Sequence, residues 1–537
     1  MTDTTETAFD AVVVGAGFSG LYMLHQLREL GLSARVLEMA DDVGGTWYWN
    51  RYPGARCDSE SHIYCYSFDE ALYRDWEWSE RYPEQSEIRE YLSFAADHLE
   101  LREDIAFETT VEAATYDEGT GRWRVATADG DHYTCRYFIT AVGCLSEPYV
   151  PDFEGLETFE GEWFHTARWP EDTSLEGRNV GVVGTGSTGI QLIPEIAPVV
   201  DHLTVFQRTP NYAVPAQNRQ LSAAERRDIE ERYEAIWTDA ADSWLGMPFD
   251  VEETTAAGLS EEEIRELLEI RWEQGGFRFL HTFNVGHLLT DEETNEIVSE
   301  FIREKIRSRV EDPEVAETLV PTDHPYGSKR PPMDYGGYYE TFNRDNVTLV
   351  DVRETPIEAI TPSGVRTTAT VHELETIVMA TGFDAMTGAL LEIDIVGRDG
   401  QTLADRWADG PVTYLGLSVH GFPNMFTITG PQSPSVLSNM PQSIELHVEW
   451  IADCIEHMEE TGADRIEATA EAEHQWVQRT NALADTMLFS EAKSWYRGAN
   501  VPGKPTIFTP FPGGLSTYRT VCDHVVEEGY EGFELAG

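Results

Sequence analysis

Asp10-Ala11-Val12-Val13-Val14-Gly15-Ala16-Gly17-Phe18-Ser19-Gly20 is the stretch on which the reading of this chain turns. A short β-branched run enters a glycine turn, and a helical pattern leaves it through Leu21, Leu24, Leu27 and Leu30. A second apolar run at 34–37 then ends at Glu38. Strand, glycine turn, helix, strand and acidic residue, in that order, make a dinucleotide-binding unit. The glycines let the backbone approach a pyrophosphate held at the helix N-terminus. Glu38 is placed to accept from a ribose hydroxyl. Gly15, Gly17, Phe18, Ser19, Gly20 and Glu38 are therefore assigned to FAD or NAD. A glycine turn that binds nothing would not need the flanking strand and acid.

The pattern returns at 179–183, where Gly184-Thr185-Gly186-Ser187-Thr188-Gly189 opens a helix through Ile190, Leu192 and Ile193. The next strand, 203–206, ends in Gln207-Arg208-Thr209 rather than an acid. A cation there suits a ribose 2′-phosphate, which an acid would repel. The first unit thus reads as FAD or NAD and the second as NADP, the combination of a flavoprotein fed by NADPH. The fold class expected is α/β, with two dinucleotide-binding domains and a helical insertion.

Two more apolar strands, 138–143 (FITAVG) and 377–382 (IVMATG), end in small residues and mark crossings between the domains. The expected division is 1–146 and 384–537 for the two parts of the FAD domain, and 147–214 and 326–383 for those of the NADP domain. The insertion is 215–325, with charged helical patterns at 222–237, 260–274 and 291–310. An amphipathic helix is expected at 444–458. Its Glu445, His447 and Glu449 read as a solvated face, and no metal site is expected.

The 537 residues hold 96 acids against 38 bases, a formal charge of −58. Such a surface repels nucleic acid and anionic membranes. Only four lysines occur: Lys305, Lys329, Lys493 and Lys504. Six scattered cysteines form no Cys-x-x-Cys pair, which excludes a flavin disulfide reductase. No run is long and apolar enough to span a membrane, and the polar, acidic residues 1–9 do not read as a signal peptide. A soluble cytoplasmic protein of a high-salt organism is expected, as a monomer or weak homo-oligomer.

Between the two units, Phe159-Glu160-Gly161-Glu162-Trp163-Phe164-His165-Thr166-Ala167-Arg168-Trp169-Pro170 fits F-x-G-x-x-x-H-x-x-x-W-P. This resembles the fingerprint of the type I Baeyer–Villiger monooxygenases. Segments 44–58 (GGTWYWNRYPGARCD), 329–331 (KRP), 338–346 (YYETFNRDN), 380–384 (ATGFD) and 495–504 (WYRGANVPGK) match the family too, in family order. The resemblance implies that NADPH reduces FAD, that O2 adds to give a C4a-peroxyflavin, and that its anion converts a ketone to an ester or lactone. An anion beside the flavin requires a fixed cation. Arg330 matches the family's active-site arginine, and Asp58 the aspartate that pairs with it.

By the same resemblance, Lys329 reads the 2′-phosphate with Arg208 and Thr209, Trp495 packs on the nicotinamide cofactor, and Arg56 and Gln191 join the NADP site. Thr46, Trp47, Trp49, Tyr64, Val111 and Met440 join the flavin site. His165, with Phe159, Gly161, Trp169 and Pro170, is read as a hinge in the crossing between domains rather than a general base. Segment 434–440 (PSVLSNM) resembles the longer loop of the phenylacetone monooxygenase branch, and leaves aryl, steroid, linear and cyclic ketones open. Two rivals remain: a flavin monooxygenase acting on sulfur or nitrogen, which would not need Arg330, and a nucleotide-binding scaffold without turnover.

Overall fold

Ala11–Val14 is buried along its whole length, as expected of a central strand in a parallel sheet covered on both faces. In the computed structural model, which describes residues 6–249 and 256–537, it is the middle of five parallel strands. Their order is Met425–Thr427, Tyr137–Thr140, Ala11–Val14, Ala34–Leu37 and Ile105–Ala106. A second parallel sheet has the same plan: Val347–Asp351, His202–Gln207, Asn179–Val183, Thr376–Met379 and Glu162–His165. These are the two dinucleotide folds of an α/β protein.

In both sheets the crossing strand lies directly beside the first strand of the unit, and the small residues at its end have a steric purpose. Gly15 has φ +102°, and a Cβ there would lie 2.6 Å from the Ala141 carbonyl oxygen. Gly184 has φ +114°, and its Cβ would lie 2.3 Å from that of Ala380. Each glycine turn is thus wedged against the end of its neighbouring strand, which only a residue without a side chain permits.

A third sheet, Glu6–Ala8, His132–Cys135, Arg122–Thr127, Val111–Asp117 and Asp394–Val396, packs on the first. Its Trp123 is fully buried against Phe138, with ring centroids 5.2 Å apart, and donates to the Pro423 carbonyl at 2.8 Å. The insertion is helical, including Ala223–Ala241, Glu261–Gln274, Glu292–Arg309 and Pro313–Leu319. Ser222 with Glu225 and Ser260 with Glu263 close capping boxes at the first two of these helices.

One expectation is corrected. The helix expected at 444–458 runs over Met440–Thr461, and Glu445 and His447 are buried rather than on a solvated face. The helix is enclosed because Phe18–Glu29 and Leu515–Glu527 both pack on it. Glu445 is satisfied by the Ser67 amide, at 2.6 Å, and the Ser67 hydroxyl. The Thr429 amide donates to His447 Nδ1 at 2.9 Å. Burial pushes the Glu445 carboxyl up to about 8. No helix of the described residues is long and apolar enough to cross a membrane.

Candidate active site

A cavity of about 1280 Å³ lies beyond the carboxyl ends of both parallel sheets and joins the two glycine turns. Ligands of doubly wound sheets bind there. Of the residues assigned from sequence to the two cofactors, all line this cavity except Gly20 and Gly189. Those two pack instead against their own turns: a Cβ would meet the Gly15 carbonyl oxygen at 1.8 Å and that of Gly184 at 2.4 Å.

At the first turn the Glu38 carboxylate is tied down by backbone, accepting from Ala16 N at 2.6 Å and Ala40 N at 2.8 Å. Burial raises its pKa against these bonds. Each carboxylate oxygen retains acceptor capacity toward a ribose. Trp47 Nε1 donates to Tyr64 Oη at 3.2 Å, which sets two aromatic rings at right angles in the wall.

At the second turn Arg208, Thr209 and Lys329 come together, although Lys329 lies on the far side of the insertion. Burial depresses the Lys329 pKa, and Arg208 and Arg353 add to the depression while Asp323 opposes it. No carboxylate forms an ion pair with Arg208 or Lys329 among the described residues. Adjacent cations that no carboxylate contacts directly, in a chain of this charge, suit an anion. Arg353 belongs to the same cluster and was not anticipated; it is anchored by Asp351 at 3.0 Å, at the end of the neighbouring strand. Arg56 lines the cavity, but its guanidinium is engaged by Glu80 and Glu84. Gln191 accepts from Tyr52 Oη at 2.7 Å and donates to the Arg56 carbonyl at 3.1 Å.

Between the two turns stands Arg330. Its Nε donates to Asp58 Oδ2 at 2.7 Å and its Nη1 to the Val436 carbonyl at 2.7 Å. The guanidinium carbon lies 4.9 Å from the centre of the Phe277 ring. Burial works against the charge, but Asp58 outweighs it and raises the Arg330 pKa further. On its other side Arg330 faces a small apolar cavity, walled by Trp244, Phe277, Leu437, Phe489 and Tyr496. A permanent cation therefore lines both the large nucleotide cavity and the small apolar one.

The chain matches the family described as flavin-binding monooxygenase-like over residues 9–217. It is 46% identical over 533 residues to the acetone monooxygenase (methyl acetate-forming) of Gordonia sp. (strain TY-5), covering 99% of each chain. It is 44% identical over 531 residues to a Baeyer–Villiger monooxygenase of Pseudooceanicola batsensis, covering 98% of this chain and 96% of that one. Its fold matches an oxidized steroid monooxygenase bound to NADP with a TM-score of 0.93, at 48% identity over 99% of this chain and 100% of that one. The chain belongs to the Baeyer–Villiger monooxygenases.

Of the fingerprint's defining residues, Phe159, Gly161, His165, Trp169 and Pro170, none lines the cavity of this Baeyer–Villiger monooxygenase. His165, expected in a crossing, ends the edge strand Glu162–His165 and pairs in register with Met379. Its Nδ1 accepts from Ala167 N at 3.1 Å, so the proton resides on Nε2, which donates to the Gly382 carbonyl at 2.9 Å. Trp169 packs edge-on to Phe164 at 4.8 Å. A Cβ on Gly161 would strike the Glu375 carbonyl oxygen at 2.4 Å. His165 thus ties the fingerprint to Gly382, which does line the cavity. Arg168, unremarked in the sequence, stacks on Trp49 at 4.3 Å and lines the cavity.

Burial pushes the His165 pKa down to about 4. A depressed folded value means that the neutral form stabilises the fold fully above the unfolded pKa of about 6.5. That contribution is lost as pH falls from there toward the folded value, where both states have become protonated. The melting-temperature gap between the parent and His165→Gln is expected to shrink over this window, and thermal scans at stepped pH measure it.

Proposed function

We propose that the enzyme binds FAD and uses NADPH, a proton and O2 to convert a ketone to an ester or lactone, releasing NADP+ and water. The observation that carries this reading is Arg330, fixed by Asp58 and facing both cavities. The first turn fits FAD: the glycine backbone is open to a pyrophosphate, the helix N-terminus follows it, and Glu38 is held at the cavity wall. The second turn fits NADP, whose 2′-phosphate would complete the cluster of Arg208, Thr209 and Lys329. When bound, FAD would supply two-electron exchange with NADPH and the activation of O2. Arg330 neutralises the negative oxygen that attacks the ketone and then the oxygen of the tetrahedral adduct. A guanidinium cannot protonate either one, so the nucleophile stays anionic. Asp58 keeps the guanidinium oriented. The carbon skeleton of the ketone lies in the main cavity beside Arg330, against Val436, Met440 and Trp495. Oxygen transfer to sulfur or nitrogen needs no stabilised anion and would leave Arg330 without a task.

We read 147–214 and 326–383 as the NADP domain, with 1–146 and 384–537 as the FAD domain. His165 serves as the hinge between fingerprint and crossing, and Trp495 packs on the nicotinamide cofactor. We place the protein in a high-salt cytoplasm on the strength of its −58 charge.

Arg330→Ala should lower ester formation by about a hundredfold or more, the usual cost of deleting an anion-stabilising group. Anaerobic reduction of the flavin by NADPH should largely survive. Gas chromatography of a ketone panel and stopped-flow bleaching of the flavin check the two halves separately.

Replacing Arg208 and Lys329 together by alanine should raise KM for NADPH and narrow its advantage over NADH. Charge-assisted bonds are worth about 1.5–3 kcal/mol each, so the ratio of the two kcat/KM values should fall by at least about tenfold. Steady-state kinetics with both cofactors measure it.

The melting temperature should rise from low to multimolar KCl, because screening relieves carboxylate repulsion at the surface. A flat or falling curve would withdraw the high-salt placement and leave the reaction untouched.

A further inference from the structure

The loop that carries Asp58 carries a second carboxylate two residues on. Glu60 is 5% exposed and bonds two guanidinium groups, Arg81 Nη2 at 2.9 Å and Arg278 Nη1. The arginines sit on either side of one turn. Arg81 also donates, through Nη1, to the carbonyl of Gln274, the last residue of the helix Glu261–Gln274. Arg278 lies just beyond the turn, in Phe277–Leu280. Between them, Gly275 and Gly276 have φ +69° and +62°, the left-handed region where glycine moves with little penalty. Phe277 follows at once, and its ring lies under the Arg330 guanidinium. Tyr82 closes the turn from the other side: a Cβ on Gly276 would come within 1.8 Å of its hydroxyl oxygen.

Two consecutive glycines give this turn little side-chain restraint of its own, and any shift in it carries the Phe277 ring with it. The Gly275 and Gly276 amides donate to the Arg271 and Pro215 carbonyls, both at 2.9 Å, and Glu60 adds a side-chain hold on both flanks through Arg81 and Arg278. We propose that Glu60 is a positioning residue for Arg330, acting through Arg278 and Phe277 to fix one face of the guanidinium while Asp58 fixes its edge. One loop then aligns the cation twice, directly and through the helical insertion. The proposal rests on the reading that Arg330 stabilises the anionic oxygen.

The experiment compares the FAD-loaded parent, Glu60→Gln, Phe277→Leu and their double mutant. Three quantities are read: ester formed per NADPH consumed, the anaerobic rate of flavin reduction, and the crystal structure. Glu60→Gln should bind flavin and be reduced by NADPH within about twofold of the parent. Its ester per NADPH should fall by about tenfold, the remainder of the O2 leaving as hydrogen peroxide, since small misplacements of a reacting group have effects of this size. Phe277→Leu should show the same loss. The double mutant should be no worse than either, because both changes cut one chain of contacts. The crystal structure of Glu60→Gln should show the Phe277 ring displaced and the Arg330–Asp58 contact altered.

Losses that multiply in the double mutant, or a Glu60→Gln protein with parental ester yield, would overturn the proposal. So would loss of flavin and stability with the ester yield per NADPH unchanged, since that is a structural role only. If Glu60→Gln fails to fold, Arg278→Lys replaces it in the same cycle, keeping the charge but not the planar fork. A parent that makes no ester from any ketone would instead refute the proposed reaction, whatever the variants do.

Discussion

The ion pair between Asp58 and Arg330 joins residues 272 positions apart and sets the arrangement of the whole site. The aspartate comes from the loop after the first glycine unit, and the arginine from the segment where the chain returns from its helical insertion. The arginine's second bond goes to Val436, just before the long helix Met440–Thr461. A guanidinium removed from water is costly unless its partners are in place, and removing one partner of such a pair typically destabilises by about 3–5 kcal/mol. With side chains still 21% and 27% exposed, this pair belongs at or below the lower end of that range. The energetic demand and the chemical demand coincide. The cation proposed to face an anionic oxygen is also the one that three separate stretches of chain must converge to satisfy.

Much of this was legible in the sequence because its causes are local. A turn with positive φ, pressed against a neighbouring carbonyl, admits only glycine, so both nucleotide units and the small-residue strand ends could be read directly. Ser222 and Ser260 marked helix starts because a capping hydroxyl acts within three residues. What stayed hidden depends on partners distant in sequence. Glu445 has the spacing of a solvated face, and only the packing of two other helices encloses it. Arg56 is a residue type suited to phosphate, yet Glu80 and Glu84 engage its charge. Glu60 is one acid among 96. Nothing near it signals that Arg81 and Arg278 will meet on it. Arg353 and Arg168 likewise acquire meaning only from what the fold sets beside them.

The charge distribution joins these two levels. With 96 acids against 38 bases, most arginines are consumed in ion pairs, and cations left without one are informative. Arg208, Lys329 and Lys493 all line the main cavity, and none forms an ion pair with a carboxylate among the described residues. Two of the chain's four lysines are thus at the wall of a single cavity. A nicotinamide dinucleotide, itself an anion, meets repulsion from the surface as a whole and attraction at these cations. Salt acts unequally on these opposed fields. At molar ionic strength the Debye length is about 3 Å, which removes the repulsion felt across the surface. Contacts within a partly buried cluster are screened much less. A strongly acidic exterior and a cationic cluster at the cavity wall are therefore compatible, because salt removes repulsion across the surface more than it weakens contacts at that cluster.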